Sequence, residues 1–383
     1  MQVLTYILYG TALLLCMYLL IVNLYLFWFS RLKVFQPDAD HLPVTGFSII
    51  IPARNEERKI TACLQSVLKN NYPSSLYEII VVDDFSTDST GYIVQNLQKE
   101  FSNIKLLSLK DLITESINSY KKRAIEIAIG QSKFEWIVTT DADCVVQPDW
   151  LKYFDAYIQK FQPVFVAAPV MFNDTGSFLS KFQCLDFVSL QGITAASVSA
   201  GFHSMCNGAN LAYSKKAFYD VDGFKDADDI ASGDDLLLMH KIKVKYPSSI
   251  GYLFNRNTTV KTDPMADWKS FLNQRIRWAS KATSYRDLNV FLVLLLVYVV
   301  NLSLGVIFIL CFFYPRIFLF LVLFVLTKAL FELPFMYKVS RFFSLQKLMP
   351  WFVIMQPAHI AYTIISGWLG KFGTYQWKGR KVK

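Results

Sequence analysis

Three stretches of this chain are apolar and free of formal charge: Met1 to Ser30, Leu288 to Pro315, and Leu348 to Gly370, where His359 is the only side chain that can take up a positive charge. Each exceeds the roughly 20 apolar residues that an α-helix needs to cross a bilayer. A chain with such segments at both ends must place them in lipid or in the core of a helical bundle. Charged residues make up 18% of the sequence and hydrophobic ones 53%; soluble domains usually carry about 25% charge. These values exclude a disordered chain, a coiled coil and an ordinary cytosolic enzyme. The first segment reads as a retained helix rather than a signal peptide. It has no basic start, its apolar run is too long, and no small-x-small cleavage site follows it.

Between Arg31 and Asp287 the chain reads as a water-soluble α/β domain. The organisation expected is a membrane helix over 1–30, a soluble domain over 31–287, a membrane region over 288–370 and a basic tail over 371–383. Basic residues prefer the cytoplasmic side of a membrane. Arg31 and Lys33 follow the first span, which puts the soluble domain in the cytosol. The second span begins after Arg286 and Asp287, Tyr314 to Arg316 form a short outer turn, and a third span returns from Ile317 to Tyr337. Lys338, Arg341 and Lys347 mark its inner end. The last segment, interrupted by Pro350 and Pro357, either spans, re-enters or lies in the interface. Its tail carries five bases and no acid, which favours the cytosol.

The third span holds Lys328 and Glu332 one helical turn apart. Such a pair is costly in lipid and either serves function or neutralises itself against a neighbouring helix. The six cysteines form no C-x-x-C, the usage of reduced, structural thiols rather than of disulfides or a zinc site. Net charge is +9, but the bases cluster beside the apolar segments. Anionic headgroups are therefore the expected counterpart, and no nucleic-acid partner is expected.

Within the soluble stretch, short apolar runs alternate with helical patterns. Strands are predicted over 47–52, 77–82, 105–109 and 136–140. Helices are predicted over 60–68, 90–101 and 121–129, with a further helix opening at Asp234-Asp235 and running through Leu236 to Ile242. Alternation at this spacing implies a parallel sheet covered by helices, with ligands beyond the carboxyl ends of the strands. Two strands end there in acidic pairs, Asp83-Asp84 and Asp141-Ala-Asp143. No glycine-rich phosphate loop of either common type is present. The phosphates of a nucleotide here would need another grip, for which a carboxylate-bound divalent cation is the natural candidate.

The ordered motifs go further. They are Ile51-Pro-Ala-Arg-Asn-Glu56, Val82-Asp-Asp-Phe-Ser-Thr-Asp88, Lys121-Lys-Arg-Ala124 and Thr140-Asp-Ala-Asp143. Then follow Asn207-Gly-Ala-Asn210, Val221-Asp-Gly-Phe224, Gly233-Asp-Asp-Leu-Leu-Leu238 and Gln274-Arg-Ile-Arg-Trp278. In this order, and flanked by spans, they resemble the family-2 glycosyltransferases over about Phe47 to Lys281. The resemblance implies an α/β fold of the GT-A type, a Rossmann-like nucleotide-sugar-binding domain, here with transmembrane helices at both ends. It implies that Glu56, Asp83 and Asp84 meet the nucleoside, that Lys121 lies near the nucleotide, and that Asp141 and Asp143 form a D-x-D. Asp143 is then the direct ligand of Mg²⁺ or Mn²⁺. Asp235 is the implied catalytic base, and Gln274, Arg277 and Trp278 close over the diphosphate and the acceptor. The family's usual glycine before the lysine is Tyr120 here.

The residue types suit the chemistry. Breaking an anomeric C–O bond to a diphosphate builds negative charge on the leaving group, and a hard cation or a guanidinium placed there lowers the barrier. Arg277 offers a planar fork that lysine cannot reproduce. The acceptor hydroxyl must lose its proton as it attacks, which a nearby carboxylate can take; a helix start keeps that carboxylate ionised. One base and one metal imply in-line displacement with inversion. Other groups have plainer expectations. Asp226, Asp228 and Asp229 form an acidic, solvated loop. His203 lies at the acceptor mouth or in packing. The helix over Phe178 to Gly201 lines an acceptor groove or belongs to the core. Trp268 and Phe271 dock their helix on the membrane surface.

The expected activity is therefore an inverting, metal-dependent transfer from a nucleotide-diphosphate sugar to a lipid or lipid-linked acceptor at the cytosolic membrane face. The expected location is a cell membrane of the bacterial inner-membrane kind, crossed several times. The competing expectation is a processive polysaccharide synthase, which shares Q-x-x-R-W but usually has more spans. A transporter would not need so large an α/β domain, and a degenerate sugar-nucleotide binder would not keep every one of these residues.

Overall fold

The structure is a computed structural model that describes residues 2–113, 119–225, 233–281 and 287–373, with the backbone of 375–377 and 380–382. The acidic loop at Asp226, Asp228 and Asp229, the boundary residue Arg286 and the basic side chains of the tail beyond Lys371 lie outside the described residues. The chain begins with α1 (Gln2–Arg31), β1 (Phe47–Ala53), α2 (Ile60–Leu68), β2 (Tyr77–Asp83), α3 (Thr90–Glu100) and β3 (Ile104–Ser108). It continues with α4 (Leu109–Leu112), α5 (Tyr120–Gly130), β4 (Trp136–Thr139), α6 (Trp150–Phe161), β5 (Phe165–Ala167), β6 (Val170–Phe172) and α7 (Phe178–Ser199). Then come β7 (Leu211–Ser214), α8 (Lys215–Asp220), α9 (Asp234–Lys245), β8 (Ile250–Tyr252), β9 (Val260–Thr262) and α10 (Trp268–Ala279). The last elements are α11 (Leu288–Leu310), α12 (Phe318–Phe342), α13 (Met349–Ile354), α14 (Gln356–Phe372) and the hairpin β10 (Tyr375–Trp377) to β11 (Arg380–Val382).

These elements gather into two compact units, each described here by itself. One comprises Lys33–Met171 and Ser204–Asp263. Its sheet has seven strands in the order β3-β2-β1-β4-β7-β5-β8. The four strands from β3 to β4 are parallel, as the alternating pattern implies. The sheet is nevertheless mixed, not parallel throughout. β7 runs antiparallel to both β4 and β5, and β8 is again parallel to β5. β7, which follows α7 and the loop over Asn207–Asn210 in the chain, is inserted between β4 and β5 and enters the sheet in the opposite sense. β1 and β2 are buried through their centres, and the continuous runs Ile49-Ile-Ile51 and Ile79-Ile-Val-Val82 are what a strand covered on both faces requires.

The other unit comprises Met1–Leu32, Phe172–His203 and Pro264–Lys383. Three of its helices are long and apolar enough to cross a membrane: Gln2–Arg31, Leu288–Leu310 and Pro315–Phe342. The final segment is broken at Met355 into two helices bent by 72°, and Pro357, just past the break, has no N–H to carry the ladder across it. α1 packs on α7, α11 and α12, and α7 packs on α12. Gly192 makes that last approach close: a Cβ there would lie 2.4 Å from Val339 Cγ2. α7 is buried along both halves, so it is a core helix of this unit. His203 is also packed rather than open. It is 1% exposed, with Nε2 2.9 Å from the Tyr25 hydroxyl of α1. Of Trp268 and Phe271, only Trp268 is exposed; Phe271 is fully buried between Phe182 and Tyr362.

Lys328 and Glu332 sit inside this unit as a closed network. Lys328 Nζ is 2.8 Å from Glu332 Oε1 and donates to Gln356 Oε1 at 2.8 Å. Gln356 Nε2 donates to Glu332 Oε2 at 2.8 Å, and the Tyr18 hydroxyl donates to Glu332. Every member is buried. A fully satisfied network of this kind ties α1, α12 and α14 together, the self-neutralising outcome.

Candidate active site

In the α/β unit the candidate side chains stand where the parallel strands end. β1 and β2 run out at Ala53 and Asp83, and each loop turns through a left-handed residue, Asn55 at φ 53° and Phe85 at φ 52°. The two loops are stitched together. Asn55 Oδ1 accepts from the Thr87 amide at 2.8 Å, and the Glu56 amide donates to Thr90 Oγ1 at 2.8 Å. Asp88 accepts from the Glu57 amide at 3.1 Å and from Thr90 Oγ1 at 2.6 Å. Arg54 Nη1 donates to the Asp84 carbonyl at 2.7 Å and lies 3.8 Å from its carboxylate. Asp84 is buried, while Glu56 and Asp83 remain partly open. Asp83 Oδ1 accepts from the Ser86 amide at 3.3 Å. The result is a rigid acidic shelf presenting Glu56, Asp83 and Asp84 from two adjacent strand ends.

The next strand end supplies the second group. Just beyond β4, Asp141 and Asp143 are half-buried and share a site with Cys144, their ligand atoms all within 4.8 Å of one another. The Cys144 thiol lies 3.6 Å from Asp143 Oδ1. Burial, with Asp143 and Asp141 nearby, pushes this thiol well above its ordinary value, and burial does the same to Cys63 beneath Asp141. The oxygens of the Asp141 and Asp143 carboxylates are hard donors, and such a pair fits a cation like Mg²⁺ or Mn²⁺.

Lys121, in the first turn of α5, reaches across to Asp141 Oδ1 at 2.8 Å. Burial alone would lower its pKa; the carboxylates of Asp141, Asp234 and Asp235 more than offset that and hold the ammonium well above the ordinary lysine value. Lys121 thus remains a fixed positive charge among the acids. Tyr120, in the glycine position before it, packs edge-on against Phe85 with ring centroids 5.5 Å apart. That contact ties the start of α5 to the acidic shelf.

Asp235 enters from α9. Gly233 takes a left-handed φ of 89°, and the helix then opens on Asp234, buried, and Asp235, partly open. Asp235 Oδ2 accepts the Gly208 amide at 2.8 Å and Oδ1 accepts the Leu236 amide at 2.9 Å. Gly208 is itself fixed. Its carbonyl accepts from Thr139 Oγ1 at 2.7 Å, and the Asn207 side chain accepts from the Ala209 amide at 3.0 Å. Fully buried Asn210 donates to the Pro169 and Thr258 carbonyls, both at 2.7 Å, and accepts from Trp150 Nε1 at 2.9 Å. A Cβ on Gly208 would sit 3.5 Å from Asp235 Oδ2 and 3.7 Å from Lys121 Nζ. The structure thus brings Asp141, Lys121, Gly208 and Asp235 together around one small space.

Gln274, Arg277 and Trp278 lie on α10, in the unit with the apolar helices. Gln274 Oε1 accepts from Arg275 Nη1 at 3.2 Å, and the Arg275 guanidinium lies 4.2 Å from the centroid of the Trp278 ring. All three remain partly open. Several residues around these side chains have no role assigned by the sequence reading: Arg54 and Asp88, which brace the shelf, Thr139, which anchors Gly208, and Arg275. Asp88 carries a usable signal, since Asp followed two residues later by Thr before a helix is a turn-and-cap pattern.

Two family descriptions match the chain. "Glycosyl transferase family 2" matches residues 48–222, and "Glycosyl transferase family group 2" matches residues 136–365. A poly-beta-1,6-N-acetyl-D-glucosamine synthase of Staphylococcus epidermidis is 28% identical over 66% of this chain and 57% of its own length. The poly(ribitol-phosphate) beta-N-acetylglucosaminyltransferase TarS of Staphylococcus aureus is 33% identical over 30% of this chain and 19% of its own length. The chain thus spans about three fifths of the synthase and a smaller part of TarS. Among solved structures, the mannosyltransferase PcManGT of Pyrobaculum calidifontis, in complex with GDP-Man and Mn²⁺, matches with a TM-score of 0.61. That match has 18% identity and covers 95% of this chain and 98% of that one.

Proposed function

The chain belongs to glycosyl transferase family 2, and from that premise we propose that it transfers a sugar, with inversion, from a nucleotide-diphosphate donor to a lipid or lipid-linked acceptor at a membrane surface. The observation that carries the proposal is the convergence of Lys121, Asp141 and the Gly208-bound carboxylate of Asp235 beyond the ends of β1, β2 and β4.

The residues divide the work. Glu56, Asp83 and Asp84 hold the nucleoside with acceptor oxygens on a shelf braced by the hydrogen bonds between its two loops. Asp143 and Asp141 would hold Mg²⁺ or Mn²⁺, which neutralises charge developing on the departing diphosphate. Lys121 contributes a permanent ammonium to the same region. Asp235 takes the proton of the acceptor hydroxyl as it attacks the anomeric carbon. The electron pair of the broken C–O bond leaves with the diphosphate. The hydrogen bonds from Gly208 and Leu236 keep that carboxylate aimed. Gln274, Arg277 and Trp278 take the role their motif implies, Arg277 with its fork on phosphate oxygens and Gln274 and Trp278 beside the acceptor. An α-linked donor would yield a β-linked product.

Both curated relatives are named for N-acetylglucosamine, so UDP-N-acetylglucosamine is the first donor to offer. Three apolar helices, with Arg31 at the end of the first and Arg341 at the end of the third, support a cytosolic catalytic unit on a multi-pass membrane protein. A processive synthase is the second reading, favoured by the name of the relative that matches over two thirds of this chain. The test is purified protein with Mn²⁺ or Mg²⁺, a panel of nucleotide sugars and total membrane lipid, with mass spectrometry of the products. One or a few sugars on lipid supports the first reading and a long chain the second. Failure to transfer from any sugar nucleotide, with or without metal, overturns both.

A further inference from the structure

The helix carrying Gln274, Arg277 and Trp278 has a buried charge that the motif does not include. Arg275 is 4% exposed and faces inward, one turn beyond Phe271, while Gln274, Arg277 and Trp278 stay partly open. Its Nη2 lies 2.6 Å from Asp186 Oδ2, on α7, and Asp186 is itself buried in the middle of that helix. The other carboxylate oxygen accepts from the Tyr362 hydroxyl of α14, with His359 Nε2 4.0 Å away. Nη1 donates to Gln274 Oε1, and the guanidinium plane covers the Trp278 ring at 4.2 Å and the Phe271 ring at 4.8 Å. The next residue of α7, Phe187, touches Trp278 from its own side with centroids 5.9 Å apart.

One guanidinium therefore holds two of the three motif side chains, and two consecutive residues of α7 grip the arrangement. A buried ion pair is weak evidence for stability, because desolvation opposes the Coulombic gain. It is better suited to fixing one geometry. Lysine could keep the charge beside Asp186 but could not lie flat on an indole while donating to an adjacent amide. We propose that Arg275, held by Asp186 and Tyr362, is a positioning residue for sugar transfer that fixes the Gln274 and Trp278 side chains in their working rotamers. The inference rests on the function proposed above and deepens it.

The test compares full-length Arg275→Lys and Tyr362→Phe with wild type for transfer kinetics, UDP binding in Mn²⁺ and thermal melting in the same detergent. Tyr362→Phe removes a single hydroxyl and keeps the inference testable if Arg275→Lys does not fold. We expect Arg275→Lys to lower kcat at least tenfold and Tyr362→Phe two- to fivefold, with UDP affinity within threefold of wild type. Either folded variant with kcat within twofold of wild type overturns the inference. A kcat loss that merely follows the loss of folded protein, or of UDP binding, overturns it equally. A wild-type enzyme that transfers no sugar is a different failure: it removes the proposed function, and the positioning role with it.

Discussion

Replacing Asp235 by asparagine separates catalysis from architecture at the proposed base. The carboxylate accepts two amide hydrogens, one from Gly208 at 2.8 Å on Oδ2 and one from Leu236 at 2.9 Å on Oδ1. An asparagine has one carboxamide oxygen, so it keeps one of these bonds and turns an NH₂ toward the other donor. Losing one such bond at a partly open site costs about 1 kcal/mol, the lower end of the range for an unsatisfied amide. Loss of a positioned base costs about 10²- to 10⁴-fold in rate, or roughly 3 to 5 kcal/mol of transition-state stabilisation. The two effects fall on different observables. Asp235→Asn should melt within a few degrees of wild type, since about 1 kcal/mol moves a domain of this size by roughly 2–4 °C. It should bind UDP in Mn²⁺ nearly as wild type does, and transfer at least 10²-fold more slowly at saturating donor. Single-turnover transfer measured alongside calorimetric UDP binding reads all of this in one preparation. A variant with undiminished kcat refutes the base assignment. A variant whose UDP affinity falls as far as its rate refutes the separation of roles.

Asp143→Asn should abolish transfer and remove the Mn²⁺ dependence of UDP binding, read by titrating UDP with and without the metal; an affinity that still rises with Mn²⁺ would count against the D-x-D assignment. Asp88 should make the shelf acid-sensitive: burial would raise its pKa, but hydrogen bonds from the Thr90 side chain and backbone and from the Glu57 amide hold it below the ordinary aspartate value. A depressed carboxyl stabilises the fold above its unfolded pKa, near 4, and that contribution drains away as pH falls through the lower folded value; melting curves of wild type and Asp88→Asn should converge below about pH 4. In the apolar unit, Lys328→Met alone should cost about 3–5 kcal/mol by leaving Glu332 buried without its partner, whereas the double variant Lys328→Met/Glu332→Leu should recover most of it. A double variant less stable than either single in detergent melting would show that the network does more than neutralise itself.

What the sequence discloses follows the length of its signals. β1, β2 and β4 stand within a residue of expectation because each is a run of β-branched and apolar residues closed by Pro, Asp or both, and a strand buried on both faces has no other way to be written. The shelf and the pair Asp141 and Asp143 were legible for the same reason: they are where those runs stop. β5, β6, β8 and β9 are three residues each, too short for any period, and with them went the antiparallel insertion of β7. The packed face of α10 was hidden for another reason. Q-x-x-R-W draws attention to the side chains that face outward, but a helix needs a second face to be held by. Phe271, Arg275 and Trp278 recur at i, i+4 and i+7, the spacing of a packed stripe, and an arginine inside such a stripe demands an acid on the opposing helix. Asp186, alone among Phe182, Leu185, Phe187 and Val188, answers that demand. Neither residue is informative by itself: an isolated charge on an apolar helix face has meaning only once the fold supplies its partner. The supporting layer of a motif is therefore to be sought at its unassigned positions, on the face that the motif does not show.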